Sequence, residues 1–179
     1  ILGLEADHQA RRCARSICEM KRKTSFQFAG ARDFETLLAM MRELYAQDGL
    51  RFDEAVARHA LQGVIHKPDL GYVFLIKEEG EVAGYAVLTF GYSLEFHGRD
   101  AFVDEIYLRD EYRGKGIGKY ALQFLCDLCV ESGIRALHLE VERHNTNAQR
   151  VYRKFGFEDH DRYLMTKWIE TSNADPPRT

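Results

Sequence analysis

The densest chemical signal in the chain is Arg113-Gly114-Lys115-Gly116-Ile117-Gly118, followed at once by Lys119. Glycines at alternate positions leave backbone N–H groups uncovered, so several of them can converge on one phosphate. The residues after the loop carry a helical pattern, and the positive end of a helix dipole adds to the charges of Arg113, Lys115 and Lys119. A phosphate-bearing ligand is the expected occupant.

A Walker A loop requires Gly-x-x-x-x-Gly-Lys-Ser/Thr. Here Tyr120 follows Gly118-Lys119, and Arg113 stands where the first glycine belongs, so the motif fails at both ends. A dinucleotide fingerprint is nearer, because Gly116-x-Gly118-x-x-Ala121 satisfies G-x-G-x-x-A and Glu140 lies about 20 residues on. A Rossmann turn, however, leaves its strand immediately, whereas a polar stretch separates Leu108 from these glycines. Too little chain also follows for the rest of a doubly wound sheet. A dinucleotide-binding protein remains the remote alternative.

A second segment points elsewhere. Asn145-x-x-Ala148-x-x-x-Tyr152, then Lys154-Phe155-Gly156-Phe157, stands about thirty residues after the loop. Together with Arg113-x-x-Gly116-x-Gly118 it resembles the GCN5-related N-acetyltransferase (GNAT) superfamily, in its bacterial small-molecule branch, with some similarity to diamine acetyltransferases. The resemblance implies an acyltransferase that uses acetyl-CoA as co-substrate and no metal. It implies an α+β domain whose central mixed, mostly antiparallel sheet of about seven strands splays between strands 4 and 5, flanked by about four helices. In that fold the pantetheine arm lies between the splayed strands. Backbone contacts then fall to Ile106, Tyr107 and Leu108, and the pyrophosphate to Arg113, Gly114, Lys115, Gly116, Ile117 and Gly118. Asn145 and Lys154 join the cofactor contacts.

Direct attack of an amine on a thioester needs a neutral amine, a stabilised oxyanion and a proton for the leaving thiolate. Tyr152 matches the family tyrosine that protonates the departing sulfur, a role open to a phenol of pKa about 10 beside a developing thiolate. A backbone N–H near Leu108 is expected to meet the oxyanion. Asp104 and Glu105 are the candidate bases. Adjacent strand residues point to opposite faces, so only one of them is expected to face the cleft. Asp104 stands nine residues before Arg113, where diamine acetyltransferases carry an acid, and Glu105 has the longer reach. Glu140 and Glu142 are weaker candidates.

The acceptor leaves fainter marks. Glu95, Asp100, Asp104, Glu105, Asp110 and Glu111 fall within seventeen residues, offset by Arg99 and Arg109. Such a stretch would attract a cationic primary amine of the polyamine kind, with Tyr92, Glu95 and Phe96 enclosing its alkyl chain. A protein or peptide amine, or acetyl-CoA binding without turnover, are the alternatives. Cys126-x-x-Cys129 on a helix, with no second ligand pair, reads as two core thiols. His138, Glu140 and Glu142 along one strand face read as surface charges.

The elements that position these residues follow from periodicity. Phe26 and Phe28 mark a short strand. A helix capped by Asp33 carries Phe34, Leu37, Leu38, Met41 and Leu44 to Asp48-Gly49, and a second starts at Asp53 and stops before Pro68. Strands Tyr72–Lys77 and Val82–Phe90 join through Glu78-Glu79-Gly80, a hairpin signature. A fourth strand spans Ala101–Leu108, and a helix from Ile117 ends at Gly133. Strand five is expected over Ile134–Glu142. A short helix capped by Asn145 or Thr146 stops at Gly156, and last strands are expected near Phe157–Glu158 and over Arg162–Ile169.

The chain of 179 residues, 45% hydrophobic and 30% charged, fits one soluble α+β domain, taken as residues 24–169. A formal net charge of −3 argues against a nucleic-acid partner. Residues 1–23 hold six basic and three acidic side chains and read as a basic extension, with 170–179 as a flexible tail. Four cysteines without framework spacing suggest free thiols in a reducing cytoplasm. No apolar run is long enough to span a membrane. Family resemblance suggests a homodimer.

Overall fold

Stretches of Val, Ile, Phe and Tyr become the sheet, and segments with a 3.6-residue apolar period become its two covers. The computed structural model describes residues 23–169, in two units that divide after Glu140. In the first, five strands pair in sequence order: β1 (Thr24–Phe28), β2 (Gly71–Glu78), β3 (Glu81–Ser93), β4 (Gly98–Leu108) and β5 (Ala136–Leu139). All neighbours are antiparallel except β4 and β5, which run parallel. Helices α1 (Phe34–Gln47) and α2 (Glu54–His66) pack on one face, and α3 (Ile117–Glu131) on the other.

With both faces covered, the inner strand β2 is buried from Gly71 to Ile76 and shows no polar alternation. Phe74 and Ile76 meet the α3 side, where Phe124 stacks on Phe26 with ring centroids 4.1 Å apart. Val73 and Leu75 meet Leu37, Leu38 and Leu61 on the other side.

Local signals set most boundaries. Asp53 caps α2, its carboxylate accepting from the Val56 N–H at 3.1 Å. Glu79 and Gly80, at φ 51° and 92°, form the two-residue turn between β2 and β3. Asp33 precedes α1 as expected but caps differently: its carboxylate accepts from the Gly30 N–H at 2.9 Å, because a 3₁₀ turn over Ala31–Asp33 leads into the helix.

Two irregularities shape the end of β4. Its parallel ladder with β5 covers only Asp100–Val103 against Ala136–Leu139, and β4 runs on to Leu108 without that neighbour. The sheet therefore splays where expected. The register with β3 also slips, Val87 lying opposite Glu105 and Leu88 opposite Val103, which leaves Asp104 as the extra residue of a bulge.

Among the described residues the strand count is five, not about seven. Strand five shortens from Ile134–Glu142 to Ala136–Leu139, and Phe157–Glu158 and Arg162–Ile169 form no strand. Tyr163, Thr166, Trp168 and Ile169 favour extended backbone, but a strand exists only through a hydrogen-bonded neighbour, and among the described residues these have no ladder partner and are exposed.

The second unit contains α4 (Thr146–Lys154), capped by Asn145, whose side-chain oxygen accepts from the Ala148 N–H at 3.1 Å. Apart from Lys23, the basic extension and the tail 170–179 lie outside the described residues. No helix among the described residues is long and apolar enough to cross a membrane.

Candidate active site

Gly114 and Gly116 sit at φ +72° and +83°, in the left-handed region, and Gly116 is the N-cap of α3. No atom lies within 4 Å of where either Cβ would stand, so conformation rather than space demands glycine there. The first bond of α3 runs from the Tyr120 N–H to the Gly116 carbonyl at 3.1 Å. The N–H groups of Ile117, Gly118 and Lys119 therefore precede the helical ladder, as an anion cradle requires. Lys115 lies over the Tyr112 ring, 5.6 Å from its centroid.

Arg113 is turned away from the glycines toward α1 and the end of β4. Its Nε donates to the Leu108 carbonyl at 2.7 Å, one Nη donates to Gln47 Oε1 at 2.6 Å, and the other lies 2.8 Å from Asp110. An open groove of about 730 Å³ lies alongside, walled by Glu43, Gln47, Tyr107, Arg109 and Arg113. A smaller one, about 330 Å³, borders Lys23, Lys115, Gly116 and Tyr120.

The Arg109 N–H donates to Ala83 of β3 at 3.0 Å. Successive backbone groups alternate along a strand, so those of Leu108 face the opposite edge, which β5 leaves uncovered. Ile106 faces the same edge by the same alternation. These are two of the three strand residues expected to meet the cofactor arm. The third, Tyr107, sends its side chain to the α1 side, where its phenol donates to Glu43 at 2.8 Å, with Arg109 3.9 Å from that carboxylate. Burial, reinforced by Glu43, pushes the Tyr107 phenol up to about 12.

The bulge overturns the alternation on which opposite faces for Asp104 and Glu105 were expected. Val103 belongs to the α3-side core, yet Glu105, two residues on, reaches Tyr85 and Tyr45 on the α1 side. The Tyr85 phenol donates to Glu105 at 2.7 Å. Burial pushes the Glu105 carboxyl above its usual range; the two phenols oppose the shift, and the charges of Asp104 and Asp48 add to it. Asp104, at the bulge, is exposed to solvent, and the neighbouring atoms that shield part of its carboxyl raise it only through desolvation.

The rest of the acidic stretch is dispersed over β4 and the turns on either side of it. Asp100 lies 3.6 Å from His138, and Asp110 is engaged by Arg113. Tyr92 pairs with Arg99, and the Phe96 ring lies 4.6 Å from that of His138. Tyr92, Glu95 and Phe96 thus sit at the other end of the β3–β4 hairpin, roughly 17 Å along the strand from Val87, which faces Glu105.

Tyr85, Tyr45, Glu43 and Gln47 were not legible as site residues. Tyr45 extends the apolar stripe of α1, and Tyr85 reads as core. Only the packing of α1 on the sheet reveals what their polar tips meet.

In the second unit, Tyr152 is half-buried, edge-on to Phe157 at 5.9 Å, and burial raises its phenol above the usual value. Asn145 is committed through its oxygen to the helix cap, and Lys154 is exposed at the end of α4.

Residues 37–157 match the profile of the acetyltransferase (GNAT) family. The chain belongs to that family. It is an N-acetyltransferase by the same comparison and by its relatives. The thialysine N-ε-acetyltransferase of Bos taurus is 29% identical over 136 residues, 71% of this GNAT chain and 79% of that protein. The L-methionine sulfoximine/L-methionine sulfone acetyltransferase of Pseudomonas aeruginosa is 30% identical over 121 residues, 61% of this chain and 69% of the relative. Among solved structures, the integron cassette protein HFX_CASS3, from the mobile metagenome of Cole Harbour Salt Marsh, superposes with a TM-score of 0.72. It is 36% identical, and the match covers 82% of the GNAT chain and 91% of the cassette protein.

Proposed function

We propose that this enzyme moves the acetyl group of acetyl-CoA directly to a primary amine on a small cationic molecule. The observation that carries the reading is the uncovered edge of β4 beyond Val103, followed after one 3₁₀ turn over Asp110–Tyr112 by the glycine loop at the start of α3. An extended amide-bearing arm can pair with such an edge, and a pyrophosphate can sit on the N–H groups of the loop and the first turn of α3.

The amine nitrogen attacks the thioester carbonyl carbon, the carbon–sulfur bond breaks, and the products are an amide and free CoA. Glu105 or Asp104 takes the proton that the acceptor ammonium must lose. A carboxyl raised above its usual range is better matched to that task than an ordinary one. The Leu108 N–H meets the oxyanion, and Tyr152, by family resemblance, returns a proton to the thiolate.

The acceptor is read from charge and from relatives. Asp48, Asp104 and Glu105 interact electrostatically around the bulge, a setting that favours a cation. Two relatives are named for small amino-acid substrates, thialysine and methionine sulfoximine. The test is CoA release from acetyl-CoA with polyamines, thialysine and other amino acids, aminoglycosides, and peptides with free amines. Turnover confined to small cationic amines is expected. Turnover confined to peptides would move the acceptor to protein, and silence with acetyl-CoA still bound would leave a non-catalytic reader.

A further inference from the structure

We propose that Tyr85 is a positioning residue for the transfer: its phenol holds the Glu105 carboxylate in place and keeps it available as a proton acceptor. The inference rests on the acetyltransferase reading above and adds to it both a choice between the two candidate bases and the residue that makes the choice work.

Glu105 and Tyr85 lie on neighbouring strands, joined by a 2.7 Å hydrogen bond, and Tyr85 is fully buried. The phenol packs among α1-side core residues and beside the Tyr107 ring, with centroids 6.0 Å apart, so it has one setting. It comes into reach of Glu105 because the bulge at Asp104 rotates the strand by one residue. A regular strand would send Glu105 to the face of Val103 instead.

The groups that face Glu105 come from every element around it. Asp104 lies beside it on β4, Tyr45 reaches it from α1, Asp48 follows α1 directly, and Tyr85 comes from β3. Two carboxylates and burial favour the protonated form of Glu105. The two phenols favour the charged form. Tyr85 itself stays a donor at any working pH, since burial and Glu105 raise it far beyond the ordinary phenol. Asp104 has no such holder among the described hydrogen bonds and is exposed at the bulge. A carboxylate that must take a proton repeatedly, in one geometry, is better served by the held group than by the loose one.

The test is Tyr85→Phe in the full chain, measured with acetyl-CoA and the best acceptor among spermidine and thialysine. Glu105 must be deprotonated to act, so activity rises with pH through its titration. Removing a donor to the charged form raises that titration, and the acidic limb of kcat/KM is expected to move up by about one pH unit. Titration of the labelled Glu105 carboxyl by NMR is expected to move by the same amount, while acetyl-CoA affinity and KM stay within about twofold of wild type. Because Phe at a buried site can disturb the fold, Tyr85→3-fluorotyrosine supplies the opposite sign: a stronger donor of the same shape should move both titrations down.

A pH profile unmoved in both variants, with the wild type active, overturns the proposal and leaves the acetyltransferase reading standing. So does a Glu105 titration that moves while the rate profile does not, because Glu105 would then be held but not used. A wild-type enzyme silent with every amine removes the reading and this proposal with it.

Discussion

Arg113 and Leu108 are joined by a hydrogen bond of 2.7 Å from the guanidinium Nε to the carbonyl oxygen, which ties the loop back onto the last residue of β4. The same guanidinium meets Gln47 and Asp110 and is partly exposed. Bonds of this kind are individually weak in water, so an incoming phosphate, which offers a full charge and fork geometry, can compete for the group.

Arg113→Ala should therefore weaken acetyl-CoA binding by about tenfold, the scale of one charge-assisted hydrogen bond, with turnover at saturation close to wild type. Isothermal titration in low and high salt checks it. The wild type should lose more affinity with salt than the variant, since the lost contact is ionic. Equal salt dependence would show that Arg113 keeps its α1 partners when the cofactor binds.

Tyr152→Phe should lower turnover by about a hundredfold, within the usual range for loss of a general acid, with acetyl-CoA affinity within about twofold. Burial raises the Tyr152 phenol, so it keeps its proton to higher pH than a free tyrosine. The rate should then show no loss assignable to Tyr152 below about pH 10. A basic limb near neutrality that vanishes in the variant would contradict that.

Glu105→Gln should stabilise the fold while lowering turnover. A carboxyl whose folded pKa is raised binds its proton more tightly in the native state, so stability falls as pH rises from the ordinary 4.5 through the folded value. Above the folded value the wild type carries the penalty of a buried charge and glutamine does not. A gain of roughly 2–4 °C in Tm at pH 7 is expected, shrinking to nothing below about pH 4, as differential scanning calorimetry at both values would read. A lower Tm at pH 7 would mean that the charge is well solvated in the native state.

Gly84→Ala should be strongly destabilising. A Cβ at Gly84 would stand 2.0 Å from the Tyr107 carbonyl oxygen and 3.0 Å from the Leu108 Cα, so β3 would have to part from β4 beside the site. A loss of more than about 2 kcal/mol in urea unfolding is expected. Gly63→Ala in α2 is the control. Nothing lies within 4 Å of its Cβ, and it should gain about 0.5–1 kcal/mol from helix propensity alone.

What could be read from the chain was local. Asp53 as a cap, Glu79-Gly80 as a turn and the glycines before Ile117 as a helix entry each depend on a few consecutive residues, and each was found in place. The apolar stripes of α1 and α3 were equally legible, since one helical face is a property of one segment. The two final strands were not, because Arg162–Ile169 has strand-forming residues but strand formation requires a partner that composition does not supply.

The sequence by itself determined the family, the order of elements up to α4 and the loop that can hold a phosphate, because motif spacing and periodicity act over a few turns of chain. Tertiary structure decided which way the chemistry points. The bulge that leaves Asp104 unpaired is a property of two strands in register, and no residue of β4 alone encodes it. That one-residue slip carries Glu105 to Tyr85, twenty residues away in the chain, and lets α1 bring Tyr45 to the same carboxylate. A contact of that kind depends on how two elements are placed, and single-chain periodicity contains no term for it.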